Sequence, residues 1–117
     1  PFPVVYQIPV PPSTNNLYAN KRGGGRTKSQ RYRQWIRVAT LDLRQQDACL
    51  FPHPCILSVS IPSNVQGDAS NRIKAPEDLL VALGVLVDDS KKYVREVRAK
   101  WVPAWCPCQV SLTATNQ

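Results

Sequence analysis

Methionine is absent from the 117 residues, so the natural start is expected to have been trimmed away. No run approaches the roughly 18 consecutive apolar residues of a membrane span. The opening Pro1-Phe2-Pro3-Val4-Val5 lacks the charged and apolar regions of a signal peptide. No internal repeat or long linker interrupts the chain. Gly23-Gly24-Gly25 lacks a following Lys-Ser/Thr at P-loop spacing and is therefore not a nucleotide cradle. The four cysteines lack zinc-type spacing: five residues separate Cys49 from Cys55 and one separates Cys106 from Cys108, against the usual two to four. Buried thiols account for the second pair, and without a secretory signal a disulfide is not expected. A small zinc-binding interaction protein would rest on these thiols alone, and metal analysis of purified protein decides it. The lone histidine, His53, sits between Pro52 and Pro54 as a loop residue does and is assigned no role. Acid is absent from residues 1–37 altogether.

What is present is one domain's worth of globular sequence, residues 1–117, with 43% hydrophobic residues. Lys and Arg number 15 against 8 Asp and Glu, a net charge of +7. The excess is concentrated early, in Lys21, Arg22, Arg26, Lys28, Arg31, Arg33 and Arg37. Such a domain favours a polyanionic partner, most often nucleic acid, although a solvated basic face has the same composition.

Hydrophobic periodicity places the elements. Val4, Tyr6 and Ile8 alternate as a first strand, ended by Pro9, Pro11 and Pro12. The glycines and their basic flanks read as a flexible loop. From Ser29 to Gln46 the period becomes helical, with Tyr32, Trp35, Ile36, Ala39 and Leu43 on one stripe. Arg33, Arg37 and Arg44 lie on another face, as solvated charges or as phosphate contacts. Cys55, Leu57, Val59 and Ile61 alternate as a second strand. A second helix spans Asn71 to Leu83 with Gly84 at its C-terminal cap. Pro76 would fall beyond the first turn of a helix capped by Asn71, so a bend or a late start is expected. A third strand carries Tyr93, Val97 and Trp101 on one face. A fourth carries Cys106, Cys108, Val110, Leu112 and Ala114. The order β-α-β-α-β-β predicts a small α+β domain, a mixed four-stranded sheet with helices packed on it.

The chemistry-bearing stretch is Gly67-Asp68-Ala69-Ser70-Asn71-Arg72-Ile73-Lys74, followed by Gly84 and then Asp88-Asp89. Ser70 and Lys74 share a face if the helix has already begun. The short link after Gly84 can return Asp88-Asp89 to the helix start. Hard oxygen ligands of this kind suit Mg²⁺, which keeps water and substrate phosphate in its shell. Phosphodiester hydrolysis uses such a metal to activate water, and a lysine to offset developing charge. Spacing alone fits equally an Asp helix cap and an ordinary Asp-Asp turn.

The arrangement resembles the RusA family of Holliday-junction resolvases of bacteria and their phages. That family carries Asp-x-Asp-Asn-x-x-Lys, then a helix, a Gly, and an apolar stretch ending in Asp-Asp. Asp68, Asn71, Lys74, Gly84, Asp88 and Asp89 stand at matching spacings. Ile8-Pro9-Val10-Pro11-Pro12-Ser13, Asn15-Asn16 and Gly25-Arg26-Thr27 resemble the family's opening, so the likeness covers most of the chain. It implies a homodimer in the bacterial or phage-infected cytoplasm, associated with the nucleoid, that cuts four-way DNA junctions with Mg²⁺ or Mn²⁺. Asp68 and Asp89 would be metal ligands, and the adjacent Asp88 would support the site or bind the metal through water. Lys74 would be a phosphate contact, and Asn71 would orient the helix start. Lys21, Arg22, Arg26, Lys28, Arg31, Arg33, Asn71 and Arg72 form the expected DNA-binding set.

Ser70 departs from the pattern, since the family has its second Asp there. Three readings are open: a natural variant with a rearranged metal shell, a junction- or duplex-binding module that cuts weakly or not at all, or an engineered substitution. If Ser70 lines the metal shell, Ser70→Asp strengthens metal binding and raises cleavage. Asp68→Asn abolishes cleavage and leaves junction binding intact. Calorimetric Mn²⁺ titration and cleavage of a synthetic four-way junction check both outcomes. Unchanged metal affinity and cleavage in Ser70→Asp would place residue 70 outside the shell.

Overall fold

A computed structural model describes residues 3–115; residues 1–2 and 116–117 of the expected 1–117 domain lie outside the described residues. Strand β4 (Cys55–Pro62) is an inner strand of a four-stranded sheet. Its neighbours are β6 (Gln109–Ala114), antiparallel, and β5 (Val94–Val102), parallel; β1 (Val4–Gln7) pairs antiparallel with β6. Helices α1 (Gln30–Gln45) and α2 (Lys74–Ala82) complete a small α+β domain with a mixed sheet.

The alternation in the sequence becomes a two-faced sheet. Register sets Leu57 opposite Leu112, and Val59 opposite Val110. Tyr6 in turn lies opposite Val110. These residues are buried, and they form one core with Tyr32, Trp35, Ala39 and Leu43 of α1 and Leu79 and Leu80 of α2. The residues between them in β4, Ile56, Ser58 and Ser60, are only half-buried. One face is therefore packed under helices and the other is largely hydroxyl-lined.

The first helix begins where its cap can form. The Tyr32 N–H donates to Ser29 Oγ at 3.1 Å, and Ser29 Oγ donates to the Asn16 carbonyl at 2.6 Å. One hydroxyl thus satisfies a helix-end donor and ties the helix to the preceding loop. Trp35 Nε1 donates to the Pro9 carbonyl at 2.9 Å, fixing the proline run against the helix. At the far end Gln46 accepts from the Gln7 N–H at 2.7 Å and donates to the Gln7 carbonyl at 2.8 Å, closing the free edge of β1 there.

Three features differ from the sequence expectation, and a fourth, the start of the second helix, takes the late form that Pro76 led one to expect. The glycine loop is a hairpin: β2 (Tyr18–Asn20) and β3 (Arg26–Lys28) pair antiparallel. Gly23, Gly24 and Gly25 have φ of 88°, 108° and 79°, a left-handed path that L side chains rarely take. The second helix starts late. Residues Ala69–Arg72 form a 3-10 turn, Ile73 rather than Asn71 precedes the α-helix, and Pro76 is its third residue, inside the first turn. A proline there loses no hydrogen bond that the helix end would have made. Strand β6 begins at Gln109, after Cys106. The prolines at 103 and 107 break the run, and the Cys106 N–H closes a turn onto the Pro103 carbonyl. Finally, Val97 and Trp101 do share a face, opposite Leu57 and Ile61, yet they are 39% and 42% exposed. Strand β5 is the sheet's outer strand, so the core that covers β4 stops short of it.

All four cysteines are free thiols, with Cys55 and Cys108 buried. Burial pushes Cys108 from 9.0 up to about 11. Its folded-state pKa lies above its unfolded value, so this contribution to stability is complete below pH 9.0 and is lost as pH rises through about 11. Urea midpoints should fall over that interval, and Cys108→Ala should remove the Cys108 part of the fall. Leu57→Ala, in the centre of the sheet, should cost about 2–5 kcal/mol at neutral pH.

Candidate functional site

The 3-10 turn Ala69–Arg72 leads straight into α2, and its backbone positions most of the sequence-derived residues. The Asn71 N–H bonds the Asp68 carbonyl at 3.1 Å. The Asn71 carbonyl accepts from Thr14 Oγ1 at 3.1 Å, linking the turn to the loop after β1. Arg72 is used internally. Its Nη1 donates to the Pro11 carbonyl at 2.7 Å and its Nη2 to the Gln66 carbonyl at 3.0 Å, while Nε is buried with no partner. This guanidinium pins two loops together, whereas the expected role was at DNA. Asp68 and Ser70 are exposed at the surface of the same turn.

The late start of α2 changes which side chains meet. Counting from Lys74, the residues on its face are Glu77 and Asp78, at i+3 and i+4. Lys74 Nζ lies 3.2 Å from Asp78. The link Val85–Val87 brings Asp89 to this same end, as expected from the sequence, but its neighbours are Glu77 and Asp78. The three carboxylates each place an oxygen within 4.8 Å of the others. Among the described residues this is the one such group of three or more acidic, cysteine or histidine ligands, and neither Asp68 nor Asp88 belongs to it. The Asp88 carboxylate instead accepts from the Ser90 N–H at 2.7 Å, and this bonding to Ser90 holds it below the usual carboxylate range. It closes its own turn.

The electrostatics record the crowding. Burial, then the charge of Asp89, pushes the Glu77 carboxyl up, while Lys74 opposes the shift. The hydrogen bond to Asp78, followed by its charge, raises Lys74. Burial and then Asp78 push Tyr32 up to about 12. Three carboxylates and one ammonium thus occupy one end of α2, a hard oxygen donor set suited to Mg²⁺ or Mn²⁺.

The basic residues form the other half of the site. Lys21, Arg22, Arg26 and Lys28 are exposed on the β2–β3 hairpin, and Arg31 and Arg33 on the first turn of α1. The Arg26 guanidinium lies over the Tyr18 ring at 5.4 Å. Hairpin and carboxylates meet at a cavity of about 350 Å³, which Lys28 and Asp78 both line. No family model matches the sequence, and no curated protein sequence matches it either. No helix among the described residues is long and apolar enough to cross a membrane.

Sequence reasoning missed Glu77 and Asp78 because it measured faces from Ser70 and did not follow Lys74 forward to i+3 and i+4. The available signal was Pro76, which fits a helix only in its first turn and so sets the start near Lys74. Mn²⁺ titration by calorimetry checks the resulting assignment. Asp89→Asn should weaken Mn²⁺ binding about tenfold or more, and Asp88→Asn should leave it unchanged.

Proposed function

We propose that the chain is a metal-dependent endodeoxyribonuclease that resolves four-way DNA junctions as a homodimer, a RusA-type resolvase. The observation that carries this reading is the convergence of Glu77, Asp78, Asp89 and Lys74 beside an exposed basic hairpin. A group that hydrolyses a phosphodiester must bind a polyanion and still concentrate negative ligands at one point. Here the cations of residues 21–33 and the carboxylates of α2 do these two tasks a few residues apart in space. Asp89, Glu77 and Asp78 would hold Mg²⁺ or Mn²⁺, with Asp68 close by in the chain. When bound, such an ion activates water and offsets charge on the phosphate. Lys74 keeps an ammonium at the edge of the carboxylates, where it can face a phosphate oxygen. Glu77 and Asp78 supply the negative charge that Ser70 does not.

Strand β5 supports the dimer. It is a nine-residue outer strand, whereas Gln46 occupies the β1 edge. Its exposed Val97 and Trp101 would gain from a cover. Antiparallel pairing of two copies about Val97 sets Glu96 opposite Arg98 on both sides of the axis, and these two residues already pair within one chain at 2.9 Å. The open form of a four-way junction has matching two-fold symmetry.

A synthetic four-way junction with Mg²⁺ or Mn²⁺ tests the proposal. Paired incisions near the branch point are expected, with Asp89→Asn inactive yet still bound. Binding without cleavage under both metals would leave a junction-binding module. Arg26→Ala with Lys28→Ala should weaken binding to every DNA form and lower the log–log salt slope by about 2. Val97→Lys should yield monomer by light scattering and lose paired incision.

A further inference from the structure

The cavity between hairpin and helices has walls of a particular kind. Tyr18 and Lys28 come from the hairpin, Tyr32 and Ile36 from α1, and Asp78 and Leu79 from α2. The two tyrosine rings meet edge to face, centroids 6.1 Å apart at 78°. Tyr32 is buried and rigidly capped, while Tyr18 is 38% exposed. Arg26, which does not line the cavity, lies over the Tyr18 ring and restrains it.

Size, lining and place identify the occupant. About 350 Å³ is at the small end of ligand sites, enough for one ring system and too little for a stretch of helix or duplex. Aromatic and aliphatic walls suit the faces of a flat ring. Lys28 offers a donor and Asp78 an acceptor, and the polar edge of a nucleobase presents both kinds of group. Asp78 belongs at once to the cavity and to the carboxylate group, so a ring held here lies one side chain from the point of cutting. Lys28 belongs to the hairpin whose loop cations, Lys21 and Arg22, are exposed and open to phosphates. A nucleotide strand laid along the hairpin therefore brings its backbone to the cations and a base to the cavity. Paired, stacked bases cannot enter, but a base pair at an open branch point lacks a stacking neighbour on one side, which lowers the cost of releasing its base.

We propose that this cavity holds one unstacked nucleobase of the strand being cut, stacked on Tyr18, which makes Tyr18 a residue that selects position at the branch. The proposal rests on the DNA reading above and adds to it a requirement for a base, beyond phosphate charge.

Equilibrium binding in EDTA separates base from phosphate. Fluorescent junctions carry a single abasic nucleotide at each position within two of the branch point, and each is titrated with the unaltered protein, Tyr18→Ala and Tyr18→Phe. At one position base removal should weaken binding. Tyr18→Ala should weaken binding to the intact junction by about five- to a hundred-fold, as loss of one base–aromatic stack does, and Tyr18→Phe should retain it. Combining Tyr18→Ala with the abasic nucleotide at that position should cost no more than either change alone, because both remove the same contact. Losses that multiply at every position, or unchanged affinity of Tyr18→Ala, would overturn the proposal. If the junction is bound no better than duplex, the junction reading fails by itself, and the same cycle on a single-stranded oligonucleotide decides the cavity by the same criterion. Absence of binding to any DNA would overturn both.

Discussion

Tyr32 is where the two halves of this protein are joined. Its backbone N–H takes the Ser29 cap that starts α1, its ring is buried against Trp35, and it meets the ring of Tyr18 at a steep angle. Its burial, with Asp78 beside it, keeps its hydroxyl protonated at any ordinary pH. Strands β2 and β3 are exposed along their whole length, so the hairpin is held at its base, by Tyr32 and by the buried Leu17, whose carbonyl accepts from the Ser29 N–H at 2.9 Å. An aromatic side chain large enough to reach from the core to the hairpin base helps set where the hairpin's four cations stand relative to α2. The packing of one residue thus governs the spacing between the part that attracts a polyanion and the part that gathers carboxylates.

The charge distribution follows from that spacing. A net charge of +7 draws a polyanion to the whole molecule, but the first 37 residues contain no acid, so the attraction is strongest at the hairpin and α1. Four of the eight acids, Glu77, Asp78, Asp88 and Asp89, lie across the cavity from the hairpin, on α2 and in the chain just after it. Lys74 bridges to Asp78 and lowers the repulsion among the three carboxylates. Without such a cation their mutual repulsion would oppose packing α2 against the link that carries Asp89.

The elements that rely on burial alone were legible in the sequence. The stripe from Tyr32 to Leu43 is a helix face, and the alternation from Cys55 to Ile61 is a central strand, because a wrong period would have left apolar side chains in water. The approach of Asp89 to the start of α2 was legible too, from the short apolar link. The hairpin was not, since each of its strands is three residues long and no apolar alternation marks it; three left-handed glycines form it through backbone conformation alone. The partners of Asp89 were missed for a geometric reason. Starting the α-helix at Lys74 instead of Asn71 takes Ser70 out of the i, i+4 relation to Lys74, while Glu77 and Asp78 keep theirs at i+3 and i+4. The open face of β5 was hidden because alternation tells which residues share a side, and only the strand order tells whether anything covers it.

Pro76 has a mechanical consequence. In a continuous helix the residue at this position would donate to the carbonyl of Arg72, four positions back, and proline has no N–H to give. The ladder of hydrogen bonds in α2 opens with the Glu77 N–H to Ile73, and nothing of that ladder reaches into the 3-10 turn. Asp68 and Ser70 therefore ride on a segment anchored by Arg72 and Thr14 to the front loops. Glu77 and Asp78 ride on a rod anchored in the core. The helix ladder therefore does not tie the two sets of oxygen atoms together, and each takes its position from its own anchors.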